Sequence, residues 1–360
     1  MSFDIQALGR KTLNTIKSTD PREFGKNSLK ALGKQKAVAA IALMMVLMFF
    51  SESRFYSSLN LINILQGAAP ELIIAFGVTL AVICRGCDLS VGAVMSLSGI
   101  LAVQWINDGM NIYQAMLYAT LSGTIVGFVN GFLIVHQKTE AFIITLGMGM
   151  LVKGIALFLT NGNPVPARSM EFMMVSNGSL LKDYLGITFF GVAIPNIIVY
   201  MIILGVFTFW LLRHTSFGRN CYALGGDYEV AEHSGINVIR AKWVAFIITG
   251  TYAAFAGVLM ASRMNTGSAI YGDLTPLIVN CGVVIGGTSF AGGIGGVPHS
   301  FIGIMVMQTL KNCMSSFRIG GIGGFEMGKY KFHQDLILGV VIVAIIAMDC
   351  YAIKRKKEDV

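Results

Sequence analysis

Charged side chains are scarce in this sequence. Only 13% of its 360 residues are Asp, Glu, Lys or Arg, where a soluble protein carries about a quarter. The catalytic signatures are missing as well. No G-x-x-x-x-G-K-[ST] loop is present to cradle a nucleotide phosphate, so the chain is not expected to hydrolyse ATP itself. There is no H-E-x-x-H, no Cys/His spacing suited to zinc and no G-x-S-x-G nucleophile elbow. Neither a metal nor another cofactor is expected, and no catalytic residue can be named. No basic, aromatic-studded soluble segment is present to bind nucleic acid. The first 36 residues carry eight Lys or Arg against three acids, with no early apolar core and cleavage site, so they do not read as a cleaved signal peptide.

What the sequence has instead is apolar length. Hydrophobic residues make up 54% of it and the mean hydropathy is +0.68. Many runs approach or exceed the roughly 20 residues that a helix needs to cross a bilayer. The expected fold class is therefore all-α: a polytopic membrane protein of about ten transmembrane helices. The candidate spans are 37–51, 63–85, 89–107, 113–135, 141–160, 193–213, 241–262, 274–286, 297–317 and 335–353, the eighth being short. They form one transmembrane domain, 37–353, between a basic arm (1–36) and a basic tail (354–360). With both termini placed in the cytoplasm, the inner segments hold 18 Lys or Arg and the outer loops seven. That bias satisfies the positive-inside rule, and the basic ends would also attract anionic membrane lipid.

Small residues mark helix contacts. Gly123, Gly127 and Gly131 recur every four residues on one span, and Gly92, Ser96 and Gly99 line another; such stripes let helix backbones approach closely. Ionisable residues inside spans are costly and invite a functional reading. Glu71 and Lys153 sit well inside, open to either a substrate or gating role or a structural ion pair. Asn130, Asn280 and Gln308 could hydrogen-bond a polar solute, although bonding between helices is the commoner use of such residues. With Glu71 and Lys153 they form the candidate substrate-pathway set.

Two polar stretches stand out. "CRGCDLSVG", Cys84 to Gly92, interrupts two apolar runs and reads as a turn at the cytoplasmic face, with Asp88 capping the following helix. Its C-x-x-C lacks the βαβ context of a redox motif and the further ligands of a metal site. The other stretch is the long inner loop, about 213–242. Gly225-Gly226 reads there as a turn, Asp227 as the N-cap of a short helix "YEVAEHS", and Gly235 as its left-handed C-terminal residue. Such a helix suits docking into a partner's groove, or merely bridges two spans.

At this loop the sequence resembles a known family. E-x-A-x-x-x-G, here Glu229, Ala231 and Gly235, is similar to the loop by which permease subunits of ATP-binding-cassette importers engage their ATPases. "GVTLAVICRGCDLSVGAVMSLSG", "EAFIITLGMGMLVKGIALFLTNGNPV", "SFGRNCYALGGDYEVAEHSGINV", "VVIGGTSFAGGIGGV" and "FHQDLILGVVIVAIIAMD" resemble, in order, blocks of the ribose, galactose and xylose type of monosaccharide permease. The resemblance spans about residues 55–353. It implies a multi-pass permease homodimer in a bacterial inner membrane, a separate ATPase subunit and an extracytoplasmic sugar-binding protein. It also assigns ATPase coupling to Glu229, Ala231 and Gly235, and a hallmark turn to Asp88, Leu89, Ser90 and Gly92. Autoinducer-like or polyol substrates, or a self-sufficient secondary transporter, are the competing expectations. Arg85 and Cys87 stand where the family usually has glycine and isoleucine.

Overall fold

The computed structural model describes residues 56–137 and 139–316, with isolated short pieces as far as residue 343. The chain is helical with almost no sheet. The expected first span, 37–51, lies outside the described residues, and so does all but isolated positions of the tenth, 335–353. The other eight expected spans each fall on a helix: α1 Ser58–Ile83, α2 Val91–Asn107, α3 Ile112–His136, α4 Ala141–Thr160, α7 Asn196–His214, α10 Val238–Met264, α11 Thr275–Ile285 and α12 Val297–Ser316. Between them lie four short helices: α5 Met170–Asn177, α6 Leu180–Leu185, α8 Ser216–Gly226 and α9 Tyr228–His233. Among the described residues, α1, α3, α4, α7 and α10 are long and apolar enough to cross a membrane.

Helices dominate because lipid offers no partner for backbone N–H and C=O groups, so each span must satisfy its own. α1 starts at a side-chain cap, Ser57 Oγ accepting from the Asn60 N–H at 3.3 Å. From Ala68 to Ile83 nearly every residue of α1 is buried, which makes it the axis of the bundle. α10 packs along α1, α2 and α3 and is built largely of small residues on its buried side. The glycine stripe of α3 meets it directly. A side chain at Gly127 would strike the carbonyl of Phe246 and the backbones of Ile247 and Gly250, while one at Gly99 of α2 would strike Gly257. α4 is the opposite case, buried along a single narrow stripe of Ala141, Thr145, Val152, Ala156 and Thr160.

One segment breaks the helical rule. α10 ends at Asn265 in a left-handed turn, and β2 (Thr266–Gly267) pairs antiparallel with β1 (Val165–Pro166). The chain then returns into the bundle along α2: Gly267 lies against Ile100 and Gly272 against Gly92. The Gly272 N–H finds Ser96 Oγ at 3.0 Å. Irregular backbone at this depth is tolerated because protein, not lipid, surrounds it. α11 starts there and runs for 11 residues, about 16 Å at 1.5 Å per residue. It is a half-length helix that stops at Gly286.

A substitution at the α3–α10 contact should be costly. Gly127→Val is expected to destabilise the protein by about 1–3 kcal/mol or more through overpacking, whereas Gly147→Ala, with nothing within 4 Å of its added methyl, should be neutral. Thermal unfolding in detergent distinguishes the two.

Candidate functional site

The α1–α2 turn is not a solvated loop. α1 closes with a Schellman pattern: the Gly86 N–H bonds to Ala81 O at 2.8 Å and the Arg85 N–H to Val82 O at 3.0 Å. The chain then folds inward. Asp88 is 1% exposed and Ser90 equally buried, so Asp88 does not lie in a solvated turn as expected, whereas Arg85 is exposed. Asp88 also does not cap α2 in the expected way. Its Oδ1 accepts from the Ser90 N–H at 2.8 Å and from Ser90 Oγ at 2.7 Å, a tie inside the turn that leaves Ser90 as the residue preceding the helix.

The turn gathers the surrounding helices. Asn130 of α3 donates to Ser90 Oγ at 2.9 Å. Thr145 of α4 donates to Cys87 O at 3.2 Å and accepts from the Leu89 N–H at 3.1 Å. Asn280 of α11 donates to Asp88 O at 3.0 Å and to Pro276 O at 2.8 Å, and the Cys87 thiol donates to Asn280 Oδ1 at 3.3 Å. Gly92 lies so close to Gly272 and Pro276 that no Cβ fits. Asp88 Oδ2 and Asn130 Oδ1 are buried without a hydrogen-bond partner among the described residues. Asp88, Ser90, Asn130 and Asn280 therefore form one network, in which the two asparagines bridge helices rather than facing open space.

The other intramembrane candidates go to ion pairs. Glu71 of α1 meets Lys311 of α12 at 2.7 Å, both partly buried. This pair lies on a polar seam between the two helices that also contains Asn60 with Asn312, Gln308 against Gly67, and Thr79 with Ser300. Lys153 of α4 meets Asp273, just ahead of α11, at 2.6 Å, and here the two side chains are 41% and 42% exposed. Lys153 lies twelve residues into α4, about 18 Å along its axis. Charge is thus held open midway along α4, beside the start of the half-length α11. Asp273 escaped the sequence reading, since nothing near it in sequence announces a span or a partner.

The long loop at about 213–242 folds as two helices. Gly225 and Gly226 are not a turn but the last turn of α8, because Gly225 lies against Ile83 O and Gly293, where no side chain fits. α9 follows directly. Asp227 Oδ1 accepts from the Val230 N–H at 3.1 Å, and Gly235 leaves the helix at φ +77°. Of α9 only Ala231 is buried, at 3% exposure; Tyr228, Glu229, Val230, Glu232 and His233 all face outward. Tyr222 of α8 donates to Gly295 O at 2.9 Å, and burial pushes its phenol pKa up, which keeps it a donor. No group of three or more potential metal ligands occurs among the described residues.

The chain is similar to known proteins over most of its length. The family described as "Branched-chain amino acid transport system / permease component" matches residues 60–346. The ribose import permease protein of Escherichia coli (strain K12) is 30% identical over 322 residues, covering 88% of this chain and 94% of that protein. The ribose import permease protein of Bacillus subtilis (strain 168) is 31% identical over 310 residues, 85% and 89% of the two chains. The xylose transport system permease protein of Escherichia coli (strain K12) is 27% identical over 405 residues, 97% and 100% of the two. The match covers most of the chain and includes the α1–α2 turn, the α8–α9 segment and α11 together. This chain is a polytopic all-α transport component rather than an enzyme, and it belongs to the permease family of the branched-chain amino acid transport system type.

Proposed function

We propose that this chain is the membrane-spanning subunit of an ATP-driven importer that carries a monosaccharide into the cytoplasm, with ribose and xylose, the sugars named in its relatives, as the first candidates. ATP hydrolysis falls to a separate subunit, and an extracytoplasmic binding protein delivers the sugar. The observation that carries this reading is α9: a capped, outward-facing helix anchored by the single buried Ala231 and fused to the bundle through α8. Such a helix presents Glu229 and its neighbours to a groove in the ATPase. The same reading implies an orientation. The α9 end, with the turn at Arg85, is cytoplasmic, in agreement with the excess of Lys and Arg on that side. The membrane is the bacterial inner membrane, and both termini lie in the cytoplasm.

The sugar path runs beside α4 and the start of α11. A charge turned to lipid at mid-depth costs at least about 2.5 kcal/mol, so the exposed Lys153–Asp273 pair faces water or protein. Broken helices whose ends lie at mid-depth are a recurrent way of holding a polar solute in a transporter. α4 exposes Phe142, Ile143, Leu146, Met150, Leu151 and Phe158. A second copy of the chain meeting this face would form a homodimer with the path between the copies.

Two experiments test the reading. Glu229→Lys, which reverses charge on α9, and Gly235→Pro, which removes the N–H that bonds Glu232 O, are expected to abolish ATP-driven uptake of labelled ribose or xylose in proteoliposomes while leaving membrane insertion intact; uptake at the unmodified level in both sinks the coupling role. Lys153→Cys, in a cysteine-free background, is expected to react with a charged thiol reagent that does not cross membranes and to lose uptake as it does. No reaction in any nucleotide state moves the pair out of the sugar path.

A further inference from the structure

Arg85 stands in a backbone position that its side chain must justify. It is the residue after the C-cap of α1, at φ +54°, in the left-handed region that glycine fills without strain. The guanidinium does two things there. Its Nε donates to Gly225 O at 3.0 Å and an Nη donates to Gly226 O at 2.7 Å. These are the last carbonyls of α8, which the helix itself leaves without partners and which carry the negative end of its dipole. The fork thus clamps the helix end from which α9 springs.

The surroundings make the clamp stiff. Gly293 donates its N–H to Ile83 O at 3.0 Å, and Gly225 is seated against both. Gly292 packs on the aliphatic stem of Arg85 and on Gly225. The end of α1, the end of α8 and the 287–296 loop therefore meet backbone to backbone, and Arg85 is the side chain that ties them together. Three residues on, the same turn enters the Asp88 network that holds α2, α3, α4 and α11.

We propose that Arg85 is the positioning residue that passes displacement of α9 to the α1–α2 turn, and through the turn to the helices that line the sugar path. This rests on the reading of α9 as the ATPase-coupling helix. When the ATPase moves α9, the last turn of α8 moves with it. The guanidinium drags Arg85 and the buried turn along, because two charge-assisted bonds resist separation more than the glycine contacts do.

The turn contains its own reporter. Among the described cysteines only Cys87 is not buried. The test uses the complete complex of permease, ATPase and binding protein in proteoliposomes, prepared with unmodified permease, Arg85→Gly and Arg85→Lys. The rate at which a maleimide modifies Cys87 is read without nucleotide and with ATP and vanadate, beside ATP hydrolysis. The unmodified complex should show a clear nucleotide response. Arg85→Gly should assemble, hydrolyse ATP within about twofold of normal and lose about tenfold of the Cys87 response. Arg85→Lys should fall between, since one ammonium lacks the planar fork that reaches both carbonyls. A full Cys87 response in Arg85→Gly overturns the proposal. So does an unmodified complex that shows none. Loss of assembly in Arg85→Gly also overturns it, making Arg85 a structural brace. Failure of the underlying reading looks different: Glu229→Lys would then assemble with the ATPase and respond like the unmodified complex, whatever Arg85 does.

Discussion

Everything in this bundle depends on the demand that no backbone N–H or C=O be left facing lipid. Long helices meet it at no cost, so the informative places are those where the chain is not helical at membrane depth. Among the described residues these are the 84–90 turn and the 265–274 return, and Gly272 of the return lies against Gly92, just past the turn at the start of α2. Each is satisfied by side chains from other helices: Thr145, Asn280 and Ser96 serve backbone groups of segments far from them in sequence. The polar residues inside this membrane protein are thus consumed first by keeping two breaks dry. What remains open, the Lys153–Asp273 pair, lies beside the second break.

The architecture also divides the bundle mechanically. α1, α2 and α10 form a tightly seated centre in which small residues bring the backbones together. α4 touches this centre along one stripe, from which Thr145 bonds to the α1–α2 turn. A helix held so lightly can shift against a rigid partner at small expense, whereas α10 cannot move without opening contacts along much of its length. Motion in an alternating-access cycle is accordingly easiest at α4, at α11 and at the turn that connects them.

Much of this was legible in the sequence, for reasons that particular residues make plain. Eight described spans announce themselves because hydropathy and length act within one segment, and the caps of α9 do so because Asp227 and Gly235 are local signals. Pairings over long separations left no local trace: Glu71 finds Lys311 240 residues away, and Lys153 finds Asp273 at a separation of 120. Gly225-Gly226 suggested a turn because glycine weakens helices, yet here the absence of a Cβ serves a close approach to Ile83. Asp88 looked like a helix cap beside solvent because nothing nearby in the chain reveals that Asn130, Thr145 and Asn280 close over the turn.

The 287–296 loop has a consequence for how such a protein changes over generations. Gly287, Gly292, Gly293, Gly295 and Gly296 all adopt positive φ, from +71° to +153°, and Gly292, Gly293 and Gly295 also press on neighbouring atoms. Almost any replacement there is strained in its own backbone before it meets a neighbour. Side-chain change is therefore nearly closed off along this loop, and its junction with the ends of α1 and α8 is set by backbone contact rather than by side-chain identity.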